Sequence, residues 1–179
     1  MTDFSTWPGV NTTWPDYTPA VWSSEGVILA VRDYLADASL KGVRSVHAAK
    51  PISWDAPANF FGEGEPWGAS LYVLAMSESQ GSIFTGNGRP ERTVKHHITV
   101  AGLFRCAANE NTLATTLQRR IEDGVKDAIR NDPTLGGRVF EAGIEKLTAT
   151  REPEQGIEAS HDIWFQIDFE VKVFASPSV

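Results

Sequence analysis

The feature that most constrains the fold is an amphipathic helix that ends abruptly and is followed by two strands. Pro133 must end the helix, because a proline pushes the residue before it out of the helical region. Gly136 and Gly137 then allow backbone angles that other residues avoid. We therefore expect the chain to turn here and return to a sheet. The apolar face of the helix recurs at steps of four residues and consists of Leu113, Leu117, Ile121, Val125 and Ile129.

The opposite side of this helix carries the charges. Glu122 and Lys126 are spaced to form a favourable pair one turn apart. Gly124 costs about 1 kcal/mol relative to alanine inside a helix, which suggests close packing at that position. The residues expected on the solvent side are Arg119, Arg120, Glu122, Asp123, Lys126 and Arg130.

Two strands follow, at Ile144–Arg151 and His161–Phe174, joined by a charged loop. The last strand alternates strictly between apolar and polar side chains. Strict alternation is typical of a sheet covered on one face only. One face would carry Ile163, Phe165, Ile167, Phe169, Val171 and Val173, and the other Trp164, Gln166, Asp168, Glu170 and Lys172.

Upstream elements complete the fold. A helix should begin at Ser23 or Ser24 and run to about Ser39, followed by strands at Val43–Ala49, Ala69–Glu78 and Arg92–Arg105. Residues 80–91 are interpreted as a long hairpin loop, since they exceed the usual two to five residues. The order predicts an α+β fold with an antiparallel or mixed β-sheet and two main helices packed on one face.

The 179 residues fit one domain preceded by an arm. Residues 1–22 form the arm and residues 23–179 the single α+β domain. Three prolines interrupt the arm, and it holds three of the six tryptophans: Trp7, Trp14 and Trp22. These rings either fill gaps in the chain's own core or anchor the arm on a neighbouring subunit, where tryptophan is favoured.

Composition and charge argue against several classes of protein. The net charge of −7 and the lack of a dense basic patch argue against gripping nucleic acid by its phosphates. The single cysteine, Cys106, rules out an internal disulfide framework. Apolar runs such as Gly26–Val31 are far shorter than the roughly 20 residues of a membrane-spanning helix. We therefore expect no membrane association.

No catalytic constellation is present. The sequence lacks a nucleophile elbow, a phosphate-binding loop and a zinc-protease motif. His96 and His97 are adjacent on a strand, so they should point to opposite faces and cannot easily share a metal. Cys106 is interpreted as a small packing residue. We predict no catalytic, cofactor or metal site and no enzymatic activity.

The helix, the phrase Asn131-Asp132-Pro133-Thr134-Leu135-Gly136-Gly137 and the last strands resemble one family. Residues His96 to Val173 are similar to the tail-terminator and tail-completion proteins of long-tailed bacteriophages, the lambda-type terminator among them. The Trp-rich arm departs from the smaller family members.

The resemblance implies a structural virion protein of the tail or neck, assembled in the host cytoplasm. It would form a ring, expected to be a hexamer, that caps the tail tube and joins the tail to the head. Its partners would be the tail tube protein and a head-completion or connector protein. DNA would pass through the acidic lumen without specific binding.

Two alternatives remain at this point. The chain could be another neck or connector protein, such as a head-closure or tail-tube subunit. Less consistent with the sequence is a small enzyme or ligand-binding domain built from scattered residues. The residues that we expect at subunit or partner interfaces are Trp7, Trp14, Trp22, Ile83, Phe84, Arg89 and Trp164.

Overall fold

The computed structural model describes residues 20, 22–49, 67–86, 89–106, 111–153 and 161–175, and the side chains of these except at 80–86, 89–91, 111–113, 144–153 and 161–162. Two helices and five strands lie in this part of the chain. In chain order they are α1 (Ser24–Asp37), β1 (Val43–His47), β2 (Trp67–Gly86), β3 (Arg89–Cys106), α2 (Asn111–Asn131), β4 (Glu141–Pro153) and β5 (His161–Ala175).

The strands form one mixed sheet in the order β1-β2-β3-β5-β4. β1 runs parallel to β2, and all other neighbours are antiparallel. Both helices pack on the same face, where their apolar side chains share one core with those of the strands. The predicted α+β fold is therefore confirmed, with the mixed form of the sheet.

α1 begins where the sequence indicates. The Ser23 hydroxyl accepts a hydrogen bond from the backbone N–H of Gly26 at 3.0 Å, which makes Ser23 the N-cap. Val27, Val31 and Leu35 are fully buried against the sheet. The helix ends two residues before Ser39, which adopts a positive φ of 48°.

α2 ends at Asn131, as the following proline requires. The Asp132 carboxylate accepts hydrogen bonds from the Thr134 hydroxyl at 2.7 Å and the Gly136 N–H at 2.7 Å. These bonds, the hydroxyl bond first, hold the pKa of Asp132 below its usual value. Leu135 adopts a positive φ of 50° and is fully buried. The Asp132 carboxylate thus stabilises the turn by hydrogen bonds, and the buried Leu135 side chain anchors it in the core.

The turn also joins the two helices. Arg138 pairs with Asp37 at the end of α1, at 2.7 Å. The Tyr34 hydroxyl of α1 donates to the carbonyl of Ala128 in α2 at 2.8 Å. Burial, followed by the charge of Asp132, raises the pKa of Tyr34.

Two expectations about α2 are wrong. Glu122 does not lie on the solvent side: it is 1% exposed, and it accepts hydrogen bonds from Gln118 at 2.8 Å and Lys126 at 3.2 Å. Close packing at Gly124 is not found either, because a β-carbon there would meet only a Leu40 methyl at 3.9 Å. The buried face of the helix is therefore wider than the row of apolar residues at four-residue steps.

The expected loop at residues 80–91 is also wrong. β2 continues to Gly86 and β3 begins at Arg89, with Gly86 paired to Arg89 and Phe84 paired to Glu91. The glycines and the proline suggested a loop, but an edge ribbon tolerates both residue types. Two register shifts, between Ala75 and Ser77 and between Gln80 and Ile83, accommodate the irregular sequence.

Candidate interaction surface

The sheet has one face without helices, which we call the outer face. Its side chains alternate with the core residues along each strand. Because α1 and α2 both pack on the opposite face, no described helix covers it. Its described members in the three central strands include Ser70, Tyr72, Leu74, Lys95, His97, Thr99, Ala101, Leu103, Trp164, Gln166, Asp168, Glu170 and Lys172.

One end of the outer face is apolar. Tyr72 and Leu103 form a small buried cluster, with Trp164 and Ala101 packed against it. The ring of His47 on β1 stacks on Tyr72 with 5.2 Å between centroids. Burial raises the pKa of Tyr72, against the opposing effect of its hydrogen bond with Ser70. Trp164 thus lies half-buried on the sheet surface.

The middle of the outer face is a network of polar pairs across strands. Asp168 accepts hydrogen bonds from the Thr99 hydroxyl and from the Gln166 amide, the latter at 2.9 Å. The His97 ring nitrogen Nε2 lies 3.9 Å from the same carboxylate. If Thr99 were a nucleophile, its hydroxyl would have to contact His97, but it donates to Asp168. The arrangement fits cross-strand stabilisation and offers no catalytic geometry.

Further along, opposite charges are paired in the same way. Lys95 lies 3.8 Å from Glu170, and Lys172 lies 3.3 Å from Glu141 on β4. Each described cation here therefore has an acidic neighbour on an adjacent strand. This part of the surface does not present one sign of charge.

Beyond these pairs an aromatic patch is exposed. Phe140 and Phe174 are 52% and 38% exposed, and their ring centroids lie 4.3 Å apart. The patch is held by β5, because the Phe140 N–H donates to the Lys172 carbonyl at 3.1 Å. The alternation of the last strand could have identified Phe174 as outward-facing. Phe140 lies before the start of β4, and no sequence signal pointed to it.

A two-stranded ribbon projects from this end of the sheet. β5 accompanies β3 only as far as the pair Arg92 and Ala175. On the other side, β1 accompanies β2 only from Ala69 to Tyr72. Among the described strands, the last residues of β2 and the first of β3 therefore pair only with each other.

The predicted interface residues do not form one patch. Ile83, Phe84 and Arg89 belong to the ribbon, where the structure describes their backbone only. Trp164 pairs with Leu103 near the opposite end of the sheet. Eleven residues of β3 separate that point from Arg92, which corresponds to about 37 Å of strand. Trp7 and Trp14 lie outside the described residues.

Trp22, the remaining predicted residue, lies at the entry to α1 and is 42% exposed. Its backbone carbonyl is 2.9 Å from Nε2 of the fully buried His96. The other ring nitrogen faces the Ser24 hydroxyl at 3.4 Å. His96 therefore fixes the point where the arm joins the domain.

The remaining chemical candidates are separated by the strand geometry. His96 faces the core and His97 the outer face, as predicted from their adjacency. Cys106 is fully buried in the core, in line with its interpretation as a packing residue. Within the described ranges, no cluster of three or more metal-ligating side chains occurs.

Comparison with known proteins finds no matching protein-family model and no significantly similar curated protein. Among the helices that the structure describes, neither is long and apolar enough to cross a membrane.

Proposed function

We propose that the chain is a structural subunit of a long-tailed bacteriophage particle: a tail terminator that assembles into a ring, caps the tail tube and joins it to the head. The observation that supports this most strongly is the two-sided construction of the sheet. One face is filled by both helices, while the outer face ends in an exposed aromatic patch beside a projecting ribbon.

The ribbon supports a role in assembly on energetic grounds. An isolated two-stranded hairpin is only marginally stable in water. Its strand edges also carry backbone groups that can pair with another chain. A neighbouring subunit would stabilise such a projection. The ribbon thus suits a contact between subunits better than a part of a closed monomer.

The aromatic patch supports the same role. Aromatic residues are enriched in protein interfaces, and exposed contiguous apolar groups commonly mark a binding surface. Phe140 and Phe174 form such a group where the sheet meets the ribbon. Since patch and ribbon are different surfaces, a head-to-tail contact between unlike surfaces is available, and such contacts form a ring when the rotation between copies closes.

Electrostatics are compatible with a channel for DNA. The net charge of −7 would repel DNA from an acidic lumen and let it slide without binding. On the outer face, polar and charged groups are paired across strands. A pairing of this kind stabilises a sheet and leaves no obvious substrate group to be recognised.

The proposal is tested by native mass spectrometry of the full chain, alone and with the tail tube protein. We expect a six-fold species whose abundance rises with concentration. Substituting Phe140→Ser and Phe174→Ser together should reduce this species. Met76→Ser is the matched control, because Met76 is 62% exposed and apolar but lies at the β2 bulge. A strict monomer under all conditions, including the presence of tubes, would contradict the proposal.

Electron microscopy separates the alternatives. A terminator should bind one end of preformed tubes and stop their growth. A tail-tube subunit would polymerise by itself into long tubes, and a head-closure protein would bind the head and leave free tubes unchanged.

A further inference from the structure

A groove lies at the end of the molecule where α1 turns into β1. It is an open depression of about 180 Å³ between that turn, the start of β2 and α2. Since a water molecule occupies about 30 Å³ in the liquid, the groove could hold about six waters or one large side chain. The lining residues are Leu40, Lys41, Trp67, Leu117, Arg120, Ile121 and Gly124.

The floor of the groove is apolar and fixed. Leu117 and Ile121 are buried members of the core, and Trp67 packs on Phe104 with 6.5 Å between ring centroids. Gly124 removes the side chain that would otherwise narrow the groove: it has only a Leu40 methyl nearby, at 3.9 Å from an added β-carbon. This gives a function to a glycine that costs helix stability.

The rim of the groove is cationic. Lys41 and Arg120 are both exposed, and they are the charged residues of the lining. Neither forms an ion pair or hydrogen bond with another residue of the described ranges. By contrast, the neighbouring cation Lys126 is paired with Glu122 and Asp123. The groove therefore offers an apolar floor with two positive charges that no described residue pairs, suited to an aromatic segment that carries a carboxylate.

The arm has the complementary composition. Residues 1–22 contain Asp3 and Asp16 but neither lysine nor arginine, in a chain with 16 such residues. Asp16 is two residues from Trp14, with Pro15 between them. An indole and a carboxylate can therefore approach one surface together.

The groove and the origin of the arm lie at opposite ends of α1. The arm joins at Trp22, beside His96 and close to Glu78, which bonds the Ser24 hydroxyl at 3.2 Å. Lys41 lies beyond the other end of the helix. The 14 residues of α1 span about 21 Å. With the arm joined at one end of the helix and the groove at the other, a contact between the two would connect successive copies head to tail.

We infer that this groove binds the N-terminal arm of a second copy, with the Trp14 ring on the apolar floor and the Asp16 carboxylate between Lys41 and Arg120. The inference rests on the self-association in the proposed function and names the contact that links successive subunits. Because arm and groove are different surfaces, the contact is heterologous and repeats from copy to copy.

Site-directed cross-linking tests the contact in the full chain. One copy carries Asp16→Cys and another Arg120→Cys, and a mixture is treated with a short bis-maleimide. We expect a covalent dimer containing one of each. Arg130→Cys is the matched control, because it is exposed on the same helix, ten residues and about 15 Å further along. It should give at least tenfold less dimer.

The double variant Asp16→Cys, Arg120→Cys distinguishes the possible occupants. Cross-linking confined within single chains would show that the arm folds onto its own domain, and it would overturn the inference. A lack of any cross-link would overturn it too, and would mean that something else fills the groove. Native mass spectrometry of the unmodified chain separates failure of this inference from failure of the proposed function. If the chain forms rings but no cross-link is seen, the proposed function stands and only the arm contact is refuted. If the chain stays monomeric and no cross-link is seen, both are refuted.

Charge exchange provides the second measurement. Lys41→Glu with Arg120→Glu should weaken self-association about tenfold or more, because like charges then face each other. Adding Asp16→Lys should restore most of the loss. The control Arg119→Glu, an exposed neighbour outside the groove, should leave association unchanged. Equal effects of the groove and control variants would refute the contact.

Discussion

Gly102 on β3 lies directly beneath the ring of Phe165 on β5. The two residues are paired in the sheet register, and Phe165 is almost fully buried. A β-carbon added at Gly102 would lie 2.1 to 2.6 Å from three atoms of the ring. Such distances are impossible for carbon atoms in contact, so Gly102→Ala must displace the ring or the strand.

The cost follows from what surrounds the ring. Overpacking a well-filled core costs roughly 1–3 kcal/mol. A two-torsion phenylalanine ring buried between a central strand and the helices has little room to move away. We therefore expect Gly102→Ala to destabilise the protein by about 2–3 kcal/mol, although alanine is favoured over glycine in strands on backbone entropy alone.

Urea denaturation measures this as a lower midpoint at an unchanged slope. Combining Gly102→Ala with Phe165→Leu should cost less than the sum of the single changes, because the smaller side chain removes the clash. If Gly102→Ala were neutral or stabilising, the ring could not lie over the glycine, and the packing argument would be refuted.

Gly124→Ala is the matched control, since it is the same chemical change in a helix with open space. It should stabilise the protein by roughly 0.5–1 kcal/mol. The opposite signs of the two substitutions would show that space, and not the residue type, decides the outcome.

Two further predictions concern charged groups. Asp132→Ala should lower the melting temperature most at neutral pH. The folded pKa of Asp132 is lowered, so its stabilisation is present above the ordinary value of about 3.9 and disappears as pH falls through the folded pKa. Melting curves of both proteins between about pH 2 and 7 should therefore converge at the acidic end, and a constant difference would contradict the assignment. Lys126→Ala should cost roughly 1–3 kcal/mol in urea denaturation, because it removes a partner of the buried Glu122 carboxylate. Asp123→Ala removes the exposed partner of the same lysine and should stay within about 0.5 kcal/mol; equal losses would show that burial of Glu122 is not decisive.

The elements of the fold follow from local patterns in the sequence. A helix start at Ser23 or Ser24, the helix end before Pro133 and the alternation of β5 were all predicted and confirmed, with Ser23 as the N-cap. Each depends on a residue's own backbone preference or on a short periodicity. The two helices on one face were predicted because a one-sided sheet needs a cover on that side.

The sequence-based predictions are wrong where packing and pairing with other residues decide the structure. Glu122 has a solvent-side pattern in sequence, yet Gln118 and Lys126 supply its hydrogen bonds in a buried position. Glycine-rich residues 80–91 resemble a loop until pairing between β2 and β3 extends the ribbon through them. In the ribbon, strand pairing outweighs the local preference of the glycines. Glu122 is bonded within its own helix, and its burial follows from how that helix packs in the core.

For the candidate interaction surface, too, the sequence indicated some features and the structure alone revealed others. The sequence identified Trp164 as outward-facing, residues 80–91 as a loop at an interface, and the arm as rich in tryptophan. It could not show that Trp164 and the ribbon lie at opposite ends of the sheet, or that Phe140 joins Phe174 in an exposed patch. It also gave no sign of the groove, whose seven lining residues come from three separate stretches of the chain.

By itself, therefore, the sequence determined the type and order of the elements, the face of each that is buried, and the turn at residues 132–137. Those properties depend on interactions within a few residues along the chain. The tertiary structure alone decided the strand order, the burial of Glu122, the lack of space for a side chain at Gly102 and the cationic groove beside Gly124. These depend on residues far apart in sequence, whose approach is set by packing of the whole core and leaves no local pattern.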